Sequence, residues 1–165
     1  MRIAVLDRRT PFATRDRDDP GERLCRALRE RGHGAALVLL PFDAAAPETI
    51  VDQMLAVRLL VLEDVDRVIA LAFPAYYVRH DDRVVWALDG HGAVSDGLPN
   101  TALGRRVRRA VLAAECAFLG EARRIHAPSA TTAQRLRADA GLDAEVLCVP
   151  RTDAGWPGVA EALTR

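Results

Sequence analysis

The tetrapeptide Asp89-Gly90-His91-Gly92 sets a carboxylate two residues from an imidazole, with glycines that let a ligand come close to the main chain. That spacing suits a general acid and base, or a pair of groups that holds a hydroxyl. It also suits an ordinary turn, in which glycine supplies the geometry and the polar residues are solvated. A second group of candidates lies in Phe73-Pro74-Ala75-Tyr76-Tyr77, where aromatic side chains follow directly on an apolar run. Asp89 and His91 are therefore the candidate catalytic pair, and Phe73, Tyr76, Tyr77, Gly90 and Gly92 the candidate ligand-binding residues.

Both groups need elements that deliver them to one place. Val68 to Phe73 and Val84 to Leu88 are short, uncharged runs rich in β-branched and aromatic residues, the pattern of strands covered on both faces of a parallel sheet. In an open α/β sheet the ligand crevice lies outside the carboxyl ends of the strands, where both loops would sit. Around this centre the chain alternates. Strands are predicted at Arg2 to Leu6, Ala35 to Leu40, Arg123 to Ala127 and Glu145 to Val149. Helices are predicted from Pro20 to about Arg31, from Pro47 through a stripe of Ile50, Met54, Val57 and Val61, from about Leu103 to Gly120, and from Ser129 to about Ala140. Asp19 and Ser129 are placed to cap, and Gly32 and Gly141 to terminate. On the helix after Leu103, Val107, Ala110, Val111, Ala114 and Phe118 face inward and the arginines outward. The expected fold is a single Rossmann-like α/β domain over residues 1–150, a mostly parallel sheet with helices on both faces. Residues 151–165 form a linker and a helix whose Trp156, Val159 and Leu163 dock back on the domain.

Composition narrows the function. Half of the 165 residues are apolar and the formal net charge is zero, which disfavours a general nucleic-acid binder. All 23 basic residues are arginine, a bias of composition rather than a demand for guanidinium groups. The three cysteines, Cys25, Cys116 and Cys148, are widely spaced in apolar surroundings and read as reduced core residues. No apolar stretch approaches a membrane span, and the amino terminus reads as a strand rather than a signal peptide, so a cytoplasmic protein is expected. The sequence has no P-loop, no dinucleotide-binding glycine fingerprint and no Gly-x-Ser-x-Gly elbow. His33, His80, His91 and His126 are too scattered for a metal site, and neither a metal nor a cofactor is expected.

Taken in order, QMLAVRLL at Gln53 to Leu60, DRVIALAFPAYYVRHDDRVVWALDGH at Asp66 to His91 and GEARRIHAPSATTAQRLRADAGLDAEVLCVP at Gly120 to Pro150 resemble the amino-terminal half of the group-one retaining glycosyltransferases of the GT-B fold. The resemblance covers nearly the whole chain. It implies a domain that binds a sugar or other small-molecule acceptor. The family's donor-binding domain, with its pair of glutamates, has no counterpart here, while GWPGVAEALTR resembles the helix that crosses back in full-length members. Asp18-Asp19-Pro20-Gly21 stands where relatives carry a glycine-rich turn. Asp89-Gly90-His91 stands for their His-x-His, so that only His91 carries over, and Pro128-Ser129 stands for Asn-Ser, leaving Ser129 as a further ligand-binding candidate.

The resemblance implies the acceptor-binding half of a split or truncated sugar transferase, inactive alone and completed by a donor-domain protein. A non-catalytic binding or scaffold protein, homodimeric in form, is the alternative. A third is an independent enzyme that reuses the cleft with Asp89 and His91 as acid and base.

Overall fold

The computed structural model describes residues 1–9, 19–89 and 93–165. Its elements run β1 (Arg2–Arg9), α1 (Pro20–Glu30), β2 (Gly34–Pro41), α2 (Ile50–Arg58), β3 (Arg67–Ala70), β4 (Arg83–Trp86), α3 (Ala93–Asp96), α4 (Ala102–Leu119), β5 (Arg124–Ala127), α5 (Ala130–Ala140), β6 (Glu145–Val146) and α6 (Trp156–Thr164). The strands form one six-stranded sheet in the order β2-β1-β3-β4-β5-β6, and every pairing is parallel. This is a doubly wound, Rossmann-like α/β layer. The strand order reverses between β1 and β3, the point at which such sheets open a crevice at their carboxyl edge.

The period-two alternation of β3 and β4 divides the core. Val68, Ala70, Val85 and Ala87 point to one face, where Ile50, Met54 and Val57 of α2, Val107, Val111 and Leu119 of α4 and Leu136 of α5 cover them. Ile69, Leu71, Val84 and Trp86 point to the other face, under Leu24 and Leu28 of α1 and Trp156, Val159 and Leu163 of α6. The rings of Trp86 and Trp156 meet edge to face at 6.1 Å, so α6 is seated on the central strands.

Helix ends follow the local chemistry. Asp19 accepts a hydrogen bond from the Gly21 amide at 2.8 Å with Pro20 in the first turn, and Ser129 accepts one from the Thr132 amide at 3.2 Å. Gly141 takes a left-handed conformation, φ 68°, after α5, and Gly32, φ 82°, follows α1.

Several elements differ from their sequence-based outlines. β1 continues past Leu6 to Arg9, because Asp7, Arg8 and Arg9 keep their main-chain register with Leu39, Leu40 and Pro41 despite polar side chains. The ladder of β3 ends at Ala70, and the chain turns from Leu71 onward. α2 ends at Arg58. Val61, expected on its inner stripe, is 75% exposed because the helix stops before the spacing does. The last strand is only two residues long. Cys25 is buried, but Cys116 and Cys148 are exposed and all three are free thiols, so the apolar neighbours of the latter two in sequence do not bury them.

Candidate functional site

Asp89 stands three residues past the end of β4 with its side chain 9% exposed, turned across the sheet toward the β1/β3 reversal. Oδ2 accepts the Phe73 amide at 2.9 Å and Nη1 of Arg8 at 3.3 Å, while Oδ1 accepts the hydroxyl of Tyr76. One carboxylate thereby ties together the ends of β4, β3 and β1. Burial pushes the Asp89 carboxyl above the usual carboxylate range, against the lowering effect of Tyr76, Phe73 and Arg8. Burial and the neighbouring Asp89 carboxylate also push the Tyr76 phenol well up, which keeps it a proton donor. The phenol has a second acceptor within reach, the Leu71 carbonyl at 3.3 Å.

Arg8 passes from this buried anchor into a cavity of about 390 Å³, lined by Arg8, Phe42, Asp43, Val94, Gly97 and Leu98. It lies outside the carboxyl ends of β1 and β2, roofed by Val94, Gly97 and Leu98. Arg8 and Asp43 bring opposite charges to it. The Asp43 turn is fixed from α2: the Gln53 amide oxygen accepts the Asp43 amide at 2.8 Å, and its nitrogen donates to the Asp43 carbonyl at 3.0 Å. The roof is fixed from α5 and α4. Arg135 pairs with Asp96 at 2.9 Å, Arg108 donates to the Leu98 carbonyl at 2.8 Å, and Thr101 caps α4 through the Gly104 amide at 3.1 Å.

The sequence-derived candidates fall at different depths. Asp89, the Phe73 main chain and Tyr76 come together. The rings of Phe73, Tyr76 and Tyr77 are each 2% exposed or less and belong to the core, where Phe73 meets Phe42 at 5.1 Å and Tyr77 at 5.4 Å. They support the cleft from beneath and do not line its open wall. Ser129 spends its hydroxyl on Thr132 and the cap of α5, and no described hydrogen bond joins it to Asp89. Gly90, His91 and Gly92 lie outside the described residues.

Three residues of the neighbourhood were given no site role by sequence reasoning. Arg8 was hidden by an outline of β1 that stopped at Leu6, and Gln53 by its place beside the apolar stripe of α2. Glu115, 3% exposed on α4, raises both Tyr76 and Tyr77 electrostatically. Its signal was legible: Val107, Val111, Glu115 and Leu119 recur every fourth residue, which places a carboxylate in the buried stripe.

Chemically, the described part of the site is an anchored cation at the mouth of a cavity. Asp89 accepts three donors and so acts as a positioning carboxylate, whereas Arg8 keeps free donor capacity on a guanidinium side chain that is 34% exposed. No group of three or more potential metal ligands occurs among the described residues. No described helix is long and apolar enough to cross a membrane. No family model, no curated protein and no solved structure matches the chain.

Proposed function

We propose that this chain binds a small polyhydroxylated ligand carrying a phosphate or carboxylate at the β1/β3 crevice, as the acceptor-binding half of a GT-B-type sugar transferase. In this reading the donor-binding half is supplied from outside these 165 residues. The observation that carries the reading is Arg8, held by the buried Asp89 carboxylate and presented to the cavity at the topological switch point. A guanidinium fixed in this way loses little freedom on binding an anion, and Asp43 supplies an acceptor for ligand hydroxyls. The segment resemblance to the acceptor half of group-one glycosyltransferases supports the sugar class.

Titration calorimetry with glucose, glucose 6-phosphate and UDP-glucose tests this. Glucose 6-phosphate is expected to bind more tightly than glucose, and UDP-glucose to gain nothing from its nucleoside. Arg8→Ala should weaken sugar-phosphate binding by about 10- to 100-fold, the worth of a charge-assisted hydrogen bond. Binding untouched by that substitution, or absent for all three probes, would overturn the site. Transfer or hydrolysis of UDP-glucose by the chain alone would overturn the split arrangement.

A non-catalytic binding role is the second reading. It is favoured by the occupied state of Asp89, whose carboxylate already accepts Phe73, Tyr76 and Arg8 and is not a free base.

A further inference from the structure

A groove of about 560 Å³ runs between α2 and α4 on the outer surface of the helical layer. One wall carries Glu48, just before α2, and Asp52; the other carries Arg106 and Arg109 of α4. None of these four charges forms an ion pair or side-chain hydrogen bond with a described residue, and all four stand open to solvent. The floor is apolar, formed by Val51, Val107 and Ala110, and Leu103 at its rim is 41% exposed. Beyond Val51 the stripe continues every fourth residue as Leu55 and Leu59, 53% and 76% exposed. Large apolar side chains left open beside an unclosed groove of opposed charges mark a surface that something covers.

We infer that this groove is an isologous interface for a second copy of the chain. The charge pattern decides the occupant. A two-fold axis running along the groove, in the plane between the copies, sets the acidic wall of each copy against the basic wall of the other, so Arg106 and Arg109 meet Glu48 and Asp52 twice. An unrelated partner would need the inverse pattern at the same spacing; a second copy brings it by symmetry. The formal net charge of zero lets two copies approach without long-range repulsion. Ala110 and Ala113 leave room for a facing helix to come close, while Val51 and Val107 on the floor supply the dry centre, with Leu103 and Leu55 extending it at the edge. This interface is independent of the ligand proposal, since none of the four charges lines the cleft.

Sedimentation velocity on the intact chain tests it. The wild-type protein is expected to be a dimer whose dissociation constant rises with salt, because its charged rim is screened. The pair reversals Glu48→Arg with Asp52→Arg, and Arg106→Glu with Arg109→Glu, should each raise that constant on the order of 100-fold by setting like charges together. All four reversals in one chain restore complementarity at unchanged net charge, and dimerisation should return. Circular dichroism confirms that each variant is folded. A monomeric wild type, a dimer indifferent to the pair reversals, or a fourfold variant that stays monomeric would each overturn the interface.

Discussion

Asp82→Ala is expected to lower the free energy of unfolding by about 3–5 kcal/mol, the cost of stripping the partner from a buried charge. The charge is Arg67, 4% exposed at the start of β3, which donates to Asp82 Oδ2 through Nη2 at 2.8 Å and Nε at 3.1 Å. Its remaining arm, Nη1, donates to the Leu163 carbonyl at 3.1 Å near the end of α6. Arg67 therefore fastens the terminal helix to the sheet, and Asp82 holds Arg67 in place with Arg123 beside it at 3.2 Å. Urea unfolding measures the loss. Hydrogen exchange over residues 156–164 should rise with it, since the Leu163 contact depends on the pair. Replacing both members, Arg67→Met with Asp82→Leu, should cost less than Asp82→Ala alone, because no unpaired charge is left inside. A double variant as unstable as the single one would refute the account. The pH dependence has a definite sign. Burial alone would push Asp82 up, but Arg67 and Arg123 outweigh it and hold the carboxyl below its ordinary value of 3.8. The stabilisation is thus present above that value and is lost as pH falls through the lowered one.

Arg67 and Arg83 show where sequence reading stops. Each stands at the amino end of an apolar run, yet Arg83 is 1% exposed and donates to the carbonyls of Val78 and Phe118. Nothing in the local periodicity signals that two distant segments will close over a guanidinium; that information lies in the tertiary packing. The doubly wound sheet was legible because it rests on short-range signals: strand-length apolar runs, Asp19 and Ser129 before helices, Gly32 and Gly141 after them. The crevice was legible at the level of topology, since the carboxyl ends of parallel strands must share an edge. Its side chains were legible only in part. Asp89 was visible as the first acid after a buried strand, but its inward turn toward Phe73 and Arg8 follows from the strand order, which places β1 and β3 side by side. The aromatic residues Phe73, Tyr76 and Tyr77 have the composition of a sugar-binding wall and the burial of a core; the turn after β3 rolls them beneath the sheet edge and away from solvent.

Asp89→Ala is expected to cost about 2–4 kcal/mol of folding stability, because it orphans the buried Phe73 amide and removes the partner of Arg8. The Tyr76 phenol suffers less, since the Leu71 carbonyl at 3.3 Å can take its proton. The same substitution should abolish the advantage of glucose 6-phosphate over glucose, by freeing Arg8 to leave the cavity. Asp89→Asn separates the two effects: its amide oxygen can still accept from Phe73, so stability should fall less than in Asp89→Ala while the hold on Arg8 is lost. Here the pH dependence runs opposite to that of Asp82. Burial raises the Asp89 carboxyl above 3.8 in the folded state, so its contribution is fully present below that value and declines as pH rises through the raised one. Wild type minus Asp89→Asn, followed by urea unfolding from acid pH upward, should therefore fall with rising pH, whereas wild type minus Asp82→Asn should rise. Parallel curves for the two pairs would mean that Tyr76, Phe73 and Arg8 outweigh burial at Asp89, and the raised carboxyl would be refuted.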